Sequence, residues 1–303
     1  MADFISIGSV AVDFYFQGDS LTFRQGRFQL ALGGKYFTER FFQKIGGGGV
    51  NVAVGVAHHH IKSAVLGKIG DNAFRPDIMT FLRDRSVSTE LIVTEPDYVN
   101  LSAILLSPSG ERSVINYNTP HQRLLDSQSS QTALTRAKWV YLGNLPDVAL
   151  TTRIEWLRRL HHHRVRSVVN LGINDCRRPI GQLQPLFQQI DHLIVNGHEF
   201  AEMVKARYQD IHFHEDVVSW YAPALSDKTV IVTEGKAGSY AYCQGRVLHQ
   251  KAMTVDQVVD ANGVGDGFTA GFVAAVMQGS GLEQALANAS RYAAKIIKRI
   301  GAN

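Results

Sequence analysis

In the second half of the chain, short apolar runs alternate with segments of helical spacing, and few folds accommodate that alternation. Helical spacing is present at residues 151–161 and 199–208. Strands are predicted around these segments at 139–142, 167–171, 192–195 and 229–233. Strands that alternate with helices are typical of a parallel sheet that helices cover on both faces. The sequence therefore predicts an α/β fold with a doubly wound, mostly parallel sheet.

The first half of the chain extends the same pattern. Residues 4–12 predict a buried strand that ends at Asp13, and residues 63–69 predict another. Helices are predicted at 50–60, directly after four consecutive glycines, and at 74–85, where apolar residues share one face.

Two further segments have the period of β-structure and interrupt this order. Residues 14–45 are rich in aromatic side chains and contain short apolar–polar alternations, which predicts inserted hairpin strands. Residues 101–106 and 112–117 predict a second hairpin around a turn at 108–110.

The composition indicates a globular protein with a small positive charge. The 303 residues carry a formal net charge of +4. Because the basic residues are dispersed, we expect a small anionic ligand rather than nucleic acid. Cys176 and Cys243 show no metal-binding spacing and fit a reducing compartment. We find no signal peptide and no run of about 20 apolar residues, so we expect a cytoplasmic protein without membrane contact.

The segment with the clearest chemistry is a glycine-rich turn, VVDANGVGDGF at 258–268, that precedes an amphipathic helix. Free backbone N–H groups and the helix dipole favour an anion at a helix start, and glycines let the backbone approach it closely. Asp266 in this turn can accept a proton from an attacking hydroxyl while N–H groups stabilise a transferring phosphoryl group. The local pattern fits equally well a helix that merely begins with an acidic residue.

Six segments in the same order resemble the signature motifs of the ribokinase-like, or PfkB, carbohydrate kinase family. DANGVGDGF at 260–268 resembles the family's D-T-x-G-A-G-D-x-F, with Ala261 and Val264 as departures. The others are GSVAVD at 8–13, GGGGVN at 46–51, GKIGDN at 67–72, NGHE at 196–199 and TEGKAG at 233–238. The resemblance covers nearly the whole chain.

The resemblance implies a single ribokinase-like domain over residues 1–303 with a small β lid inserted at about 14–45 and 101–117. It implies ATP-dependent phosphorylation of a hydroxyl on a sugar or sugar-like molecule. Asp266 would be the catalytic base. The backbone N–H groups of Gly263, Val264 and Gly265 would form the anion hole with that of Asp266.

The resemblance also implies an acceptor site that contains Asp13, Gly47, Gly48 and Asn51. Carboxylate and amide groups suit this role because they bind vicinal hydroxyls. The alternative interpretation is structural: Asp13 as a turn or cap residue, and Asn51 as an N-cap after a flexible glycine loop.

For the nucleotide, the resemblance implies contacts from residues that follow the predicted strands at 192–195 and 229–233, namely Asn196, Glu199, Thr233, Gly235 and Gly238. It also implies that Asn288 or Ser290 approaches the adenine. Glu199 would hold Mg²⁺ through water, which suits an ion that keeps several waters. Asn196 and Glu199 also fit a capping box, and the two interpretations are compatible. Asp260, with the chain near Gly301, would lie at a monovalent cation site, which K⁺ would fill.

Two sequence features fall outside this scheme. The histidine runs at 58–60 and 161–163 invite a metal interpretation, but adjacent histidines do not share a helix face and no Cys or acidic cluster accompanies them. Asn170-Leu171-Gly172 stands where relatives carry D-P-N. Its effect on the substrate is open.

Three functional hypotheses remain open from the sequence. A sugar kinase is the first. A nucleoside kinase of the adenosine type is the second, because Asn262 occurs in that version of the signature and the aromatic residues at 14–16, 36 and 37 offer surfaces for a base. A sensing protein that binds sugar or nucleotide without catalysis is the third. The resemblance also implies a homodimer through the lid.

Overall fold

The computed structural model describes residues 2–25, 27–107, 112–120, 124–125 and 127–303. Its strands are, in chain order, β1 (Phe4–Ile7), β2 (Ala11–Gln17), β3 (Phe23–Arg24), β4 (Arg27–Phe28), β5 (Arg40–Gly46), β6 (Ser63–Leu66), β7 (Lys68–Gly70), β8 (Val87–Ser88), β9 (Val93–Glu95), β10 (Asn100–Leu106), β11 (Arg112–Asn118), β12 (Trp139–Leu142), β13 (Arg166–Asn170), β14 (His192–Asn196), β15 (Thr229–Thr233), β16 (Ser239–Cys243) and β17 (Arg246–Gln250).

The α-helices of the described residues are, in the same order, α1 (Gly48–His58), α2 (Arg75–Asp84), α3 (Gln128–Arg136), α4 (Leu150–His162), α5 (Ile173–Cys176), α6 (Ile180–Phe187), α7 (Gly197–Val204), α8 (Val217–Tyr221), α9 (Val264–Met277) and α10 (Leu282–Ile296). Among them we find none whose length and apolar character would let it cross a membrane.

Nine strands form the central sheet, in the order β17-β16-β15-β14-β13-β12-β1-β6-β8. The strands from β15 to β8 are parallel, and the β16–β17 hairpin adds two antiparallel strands at one edge. β1 lies between β6, the next strand of this sheet along the chain, and β12, so the strand order reverses there. Sheets of this kind bind ligands beyond the carboxyl ends of the strands at such a reversal.

Helices cover both faces of the central sheet. Along β1, Phe4 belongs to an apolar cluster with Phe272 of α9 and Tyr292 of α10. Ile5 belongs to the opposite cluster, with Leu157 of α4. This alternation confirms the doubly wound sheet that the sequence predicts.

A second sheet of four strands has the order β11-β10-β2-β5. β2 pairs antiparallel with β5 and parallel with β10, and β10 pairs antiparallel with β11. These strands come from the two segments for which a lid is predicted. The predicted turn at 108–110 lies outside the described residues.

Two strand predictions need correction. Residues 4–12 are not one strand that ends at Asp13, because the chain leaves the central sheet after β1 and Asp13 lies inside β2 of the second sheet. Residues 63–69 likewise divide into β6 and β7, which belong to different sheets. In both places the apolar run continues across the break because both strands are buried, so hydropathy does not mark the change of sheet.

Candidate active site

The glycine-rich turn leads directly into α9. Gly263 precedes the helix with φ of 69°, and a Cβ at this position would lie 2.1 Å from the Cβ of Ala302. Only glycine adopts this conformation readily and fits that space. The first helical hydrogen bond runs from the Gly267 N–H to the Gly263 carbonyl, at 2.9 Å. The N–H groups of Val264, Gly265 and Asp266 therefore precede the helical hydrogen-bond ladder.

Asp266 lies in the first turn of α9, as predicted, and its carboxylate faces α1. Asn51 Nδ2 donates to Asp266 Oδ2 at 2.7 Å, and Asn303 Nδ2 donates to Asn51 Oδ1 at 2.8 Å. Burial raises the pKa of Asp266, while the hydrogen bond from Asn51 lowers it. A partly buried carboxylate with a raised pKa suits a residue that takes up a proton.

Asp13 lies on the other side of Asn51, in the middle of β2. Its carboxylate is packed so closely on Gly46 of β5 that a Cβ there would lie 2.3 Å from Asp13 Oδ2 and 3.8 Å from Asn51 Oδ1. Burial raises the pKa of Asp13 to about 6, against a hydrogen bond with Ser102 that lowers it. The charges of Asp260 and Asp266 raise it further. The structure thus brings Asp13, Asn51 and Asp266 into one cluster.

The four consecutive glycines span the end of β5 and the start of α1, and they are closely packed. Gly47 has φ of 91°, and a Cβ on it would lie 2.5 Å from the Ser9 carbonyl oxygen. The Gly48 N–H donates to Ser9 Oγ at 3.0 Å, and the Gly49 N–H donates to the Ser9 carbonyl at 3.1 Å. Asn51 lies within α1 rather than at its N-cap, which is Gly47. The alternative in which Asn51 is the N-cap of this helix is therefore wrong.

Of the residues predicted to contact the nucleotide, Asn196 and Thr233 are register partners where the parallel strands β14 and β15 end. Asn196 and Glu199 form the capping box: the Glu199 N–H donates to Asn196 Oδ1, and the Asn196 N–H donates to Glu199 Oε2, both at 2.9 Å. Burial raises the pKa of Glu199, and the bond from the Asn196 N–H lowers it. The second carboxylate oxygen of Glu199 is not needed for the cap.

Gly235 and Gly238 form the turn between β15 and β16. Gly238 packs against the end of β17, where a Cβ would lie 2.0 Å from the Gln250 carbonyl oxygen. Ser290 of α10 reaches the same place, because its hydroxyl donates to the Lys251 carbonyl at 3.3 Å.

The structure does not bring Asn288 to this turn. Asn288 lines a cavity of about 230 Å³ together with His59, Arg291, Tyr292 and Lys295. Its side-chain oxygen accepts from Arg291 at 2.5 Å and from Gln284 at 3.3 Å. Ser290, two residues further along α10, faces the turn instead. Of the two α10 residues that the resemblance offers for the nucleotide, Ser290 is the one near this turn, because two positions along a helix change the face.

Asp260 lies near the start of the glycine-rich turn and is fully buried. Its carboxylate accepts from the Asn262 N–H at 2.8 Å and from the Gly301 N–H at 3.0 Å. The bond from Gly301 ties the turn to the segment that follows α10. In the parts of the chain that the structure describes, no cationic side chain pairs with Asp260.

Tyr141 of β12 is buried within electrostatic range of both Asp266 and Glu199. Burial raises the pKa of Tyr141, and the charges of Asp266 and Glu199 raise it further. Because both carboxylates act on one buried phenol, the cluster around Asp266 and the capping box of Glu199 belong to one region of the molecule.

Sequence reasoning missed Ser102 and Asn303. Ser102 lies directly opposite Asp13 across the parallel β2–β10 pair, a pairing that no local pattern predicts. Asn303 bonds to Asn51 and to the Ile45 carbonyl, but nothing in the sequence distinguishes it. The histidine runs end α1 and α4, and no group of metal-binding side chains is found in the described part of the molecule.

Known proteins similar to this chain are small-molecule kinases. A family model described as pfkB family carbohydrate kinase matches residues 1–303. The chain is 28% identical over 243 residues to a probable chloroplastic fructokinase-6 from Arabidopsis thaliana; the match is 75% of this chain and 61% of that relative, less than two thirds of its length.

Solved structures share the fold. An Arabidopsis thaliana ribokinase complexed with ribose and ATP has a TM-score of 0.79 at 21% identity, covering 99% of this chain and 94% of the other. An adenosine kinase from Sinorhizobium meliloti has a TM-score of 0.81 at 20% identity, covering 100% and 95%. These similarities confirm the ribokinase-like fold class.

Proposed function

The chain belongs to the pfkB family of carbohydrate kinases, which are phosphotransferases that act on hydroxyl groups, and we propose that it phosphorylates a sugar or sugar-like acceptor with ATP. One observation carries the proposal: the carboxylate of Asp266 lies at the start of α9, hydrogen-bonded to Asn51 and beside Asp13. A base, a phosphate-binding helix start and a hydroxyl-binding carboxylate then share one cluster.

In the proposed reaction Asp266 takes the proton of the acceptor hydroxyl. The hydroxyl oxygen forms a bond to the γ-phosphorus of ATP, the bond to the β–γ bridging oxygen breaks, and ADP leaves. The N–H groups of Gly263, Val264, Gly265 and Asp266 stabilise the negative charge on the transferring group. The space beside Gly265 is open, since a Cβ there would meet no heavy atom within 4 Å, and a phosphate group could approach the turn at this point.

The acceptor lies against Asp13, Asn51 and the backbone of Gly47 and Gly48 in this proposal. Side chains opposite each other on neighbouring strands share a face, so Ser102 faces the acceptor with Asp13. Sugar hydroxyls fit these polar groups. The four-stranded sheet would act as the lid that excludes water during transfer.

The arrangement of the aromatic side chains supports a sugar rather than a nucleoside. Phe14 and Phe16 lie on the face of β2 opposite Asp13 and pack against Phe41, with ring centroids 6.0 and 5.5 Å apart. Tyr15 is fully buried, and the Tyr36 hydroxyl bonds to the Ala31 N–H at 2.6 Å. Of the aromatic residues considered for a base, only Phe37 is strongly exposed, at 81%.

ATP would extend from the start of α9 over Asn196, Thr233, Gly235 and Gly238. The donor set near the phosphates fits Mg²⁺, because that ion needs only one or two carboxylates beside phosphate oxygens and water, and Glu199 keeps one carboxylate oxygen outside its cap. Mg²⁺ there would neutralise phosphate charge. A monovalent cation such as K⁺ beside Asp260 is supported by a buried carboxylate that lacks an ionic partner in the described residues.

ADP release measured with fructose, ribose, adenosine and buffer alone tests the proposal. We expect ATP turnover that depends on a sugar. Preference for adenosine would favour a nucleoside kinase. Ligand binding in a thermal-shift assay without any ADP release would favour the non-catalytic sensor.

A further inference from the structure

A tyrosine of the lid sheet reaches into the catalytic turn. Tyr15 lies on β2, two residues from Asp13, and is 0% exposed. Its strand neighbours are Ile104 on β10 and Phe42 on β5, and the packing around its ring is apolar. This apolar packing holds the ring so that its hydroxyl contacts the glycine-rich turn.

The hydroxyl accepts a hydrogen bond from Asn262 Nδ2 at 3.0 Å. The carboxylate of Asp260 lies near enough to contribute to the raised pKa of Tyr15, which is due mainly to burial. Asp260 accepts from the backbone N–H groups of Asn262 and Gly301. Asn262 directly precedes Gly263, where the left-handed conformation sets the direction of the anion-hole N–H groups. Tyr15 therefore closes a buried network around the base of the turn.

Resting on the proposed function, we propose that Tyr15 is a positioning residue that fixes the anion hole against the acceptor site. Asp13 and Tyr15 are two apart on one strand and so lie on the same face of β2. One side chain would hold the acceptor and the other would hold the turn that stabilises the transferring phosphoryl group. β2 then sets the distance between the two reacting groups.

This role should affect the transition state far more than ground-state binding. Anion-hole donors act on charge that develops during transfer, and small errors in their position lower the rate strongly. Without the hydroxyl, Asn262 Nδ2 loses its acceptor in a partly buried place, which favours another arrangement of the turn. The apolar packing of the ring would keep β2 and Asp13 in place.

Tyr15→Phe tests the inference because it removes only the hydroxyl. Tyr242→Phe is the matched control: Tyr242 is also buried, and its hydroxyl donates to the Phe213 carbonyl at 2.6 Å, away from the site. We expect kcat to fall about tenfold in Tyr15→Phe, on the scale of a misplaced transition-state contact. Both KM values should stay within about twofold, and Tm should fall no more than in the control.

The double variant Tyr15→Phe with Asn262→Ala should lose little more kcat than either single variant, because both substitutions break the same hydrogen bond. Hydrogen exchange supplies a readout that needs no turnover: amides of 260–267 should exchange faster in Tyr15→Phe than in Tyr242→Phe. Equal kcat and equal exchange in the two variants, or a loss confined to the acceptor KM, would overturn the inference. A wild-type protein that releases no ADP with any acceptor would instead remove the proposed function, and the exchange data would still decide the role of Tyr15.

Discussion

At the scale of single residues, Asp266 carries the proposed chemistry. Asp266→Asn keeps the size and the contact with Asn51 but cannot accept a proton. We expect kcat to fall at least ~10²-fold, the usual scale for a general base, with both KM values nearly unchanged. Steady-state ADP release measures this, with exposed Asp227→Asn as the control. Wild-type turnover in Asp266→Asn would contradict the assignment.

Asp13 and Asn51 should differ in their effects although both belong to the proposed acceptor site. Asp13→Ala removes hydroxyl contacts and should weaken acceptor binding by about 1–3 kcal/mol with ATP binding intact. Asn51→Ala should weaken the acceptor and also remove the hydrogen bond that lowers the pKa of Asp266. The base would then be protonated at higher pH, so the acidic limb of the pH–kcat profile should move to higher pH.

Profiles of kcat against pH and titrations with each ligand separate the two effects. Asp13→Ala removes a negative charge near Asp266. The acidic limb of the pH–kcat profile should therefore stay in place or move to lower pH. If both variants lost ATP affinity and kept acceptor affinity, the two sites would be reversed.

At the scale of elements, the start of α9 allows a contrast between two glycines. Gly263→Ala places a Cβ in the left-handed region and against Ala302, so it should cost about 1–2 kcal/mol for the conformation alone and lower Tm. Gly265→Ala adds a methyl group in open space on the proposed phosphate side. It should leave Tm nearly unchanged and still lower kcat or raise the KM for ATP.

Thermal unfolding and ADP release on the same preparations test this contrast. Full activity of Gly265→Ala would mean that phosphate does not approach the turn there. An unchanged Tm in Gly263→Ala would contradict the claim that this position requires glycine.

Sequence alone predicts the elements that depend on residues close together in the chain. It does not predict where the chain passes from one sheet to another. The start of α9 with Asp266, and the capping box of Asn196 and Glu199, depend on residues a few positions apart. The placement of Asp13 within β2 depends on pairing with β5 and β10, about 30 and 90 residues away in the chain. The sequence leaves Asn288 and Ser290 open for the same reason: helix period identifies a face, but only packing identifies which face meets the turn at Gly238.

At the scale of the whole molecule, stability should depend on His192 in mildly acidic solution. His192 is 7% exposed, its ring stacks on Trp139, and neither ring nitrogen has a hydrogen-bond partner among the described residues. Burial lowers the pKa of His192 to about 4. Between that value and the ordinary pKa near 6.5, the unfolded chain binds more protons. The contribution of neutral His192 to the free energy of unfolding is therefore fully present above pH 6.5 and is lost as the pH falls towards 4.

His192→Phe keeps the ring and removes the titration. The loss of unfolding free energy between pH 7 and pH 5 should be about 2 kcal/mol smaller in the variant than in the wild type, by the linkage of pKa to stability. Urea unfolding at the two pH values measures it. Equal losses of unfolding free energy in the two proteins would contradict the prediction that, in this pH range, His192 takes up a proton only when the chain unfolds.

The outer face of the lid sheet, which carries Phe14, Phe16, Phe41, Ile115 and Tyr117, is the surface for the proposed homodimer. Phe41 is 54% exposed, Ile115 63% and Tyr117 66%. Ile115 lies opposite Ala103, which lies opposite Phe14, so apolar side chains continue across the sheet. An apolar surface of this kind usually marks a binding site. Two copies that pair these faces would bury it and hold each lid over its own acceptor site.

Sedimentation and light scattering at micromolar concentration test the homodimer directly. We expect a dimer for the wild type and a monomer for Phe41→Lys with Ile115→Lys, because charges buried in an interface are costly. Trp220→Lys is the matched control, since Trp220 is 64% exposed on α8 and should leave the dimer intact. A monomeric wild type would remove the lid dimer but not the proposed kinase. Asp266, Asn51 and the anion-hole turn all lie within one chain, so a monomer still contains every group that the proposed transfer requires.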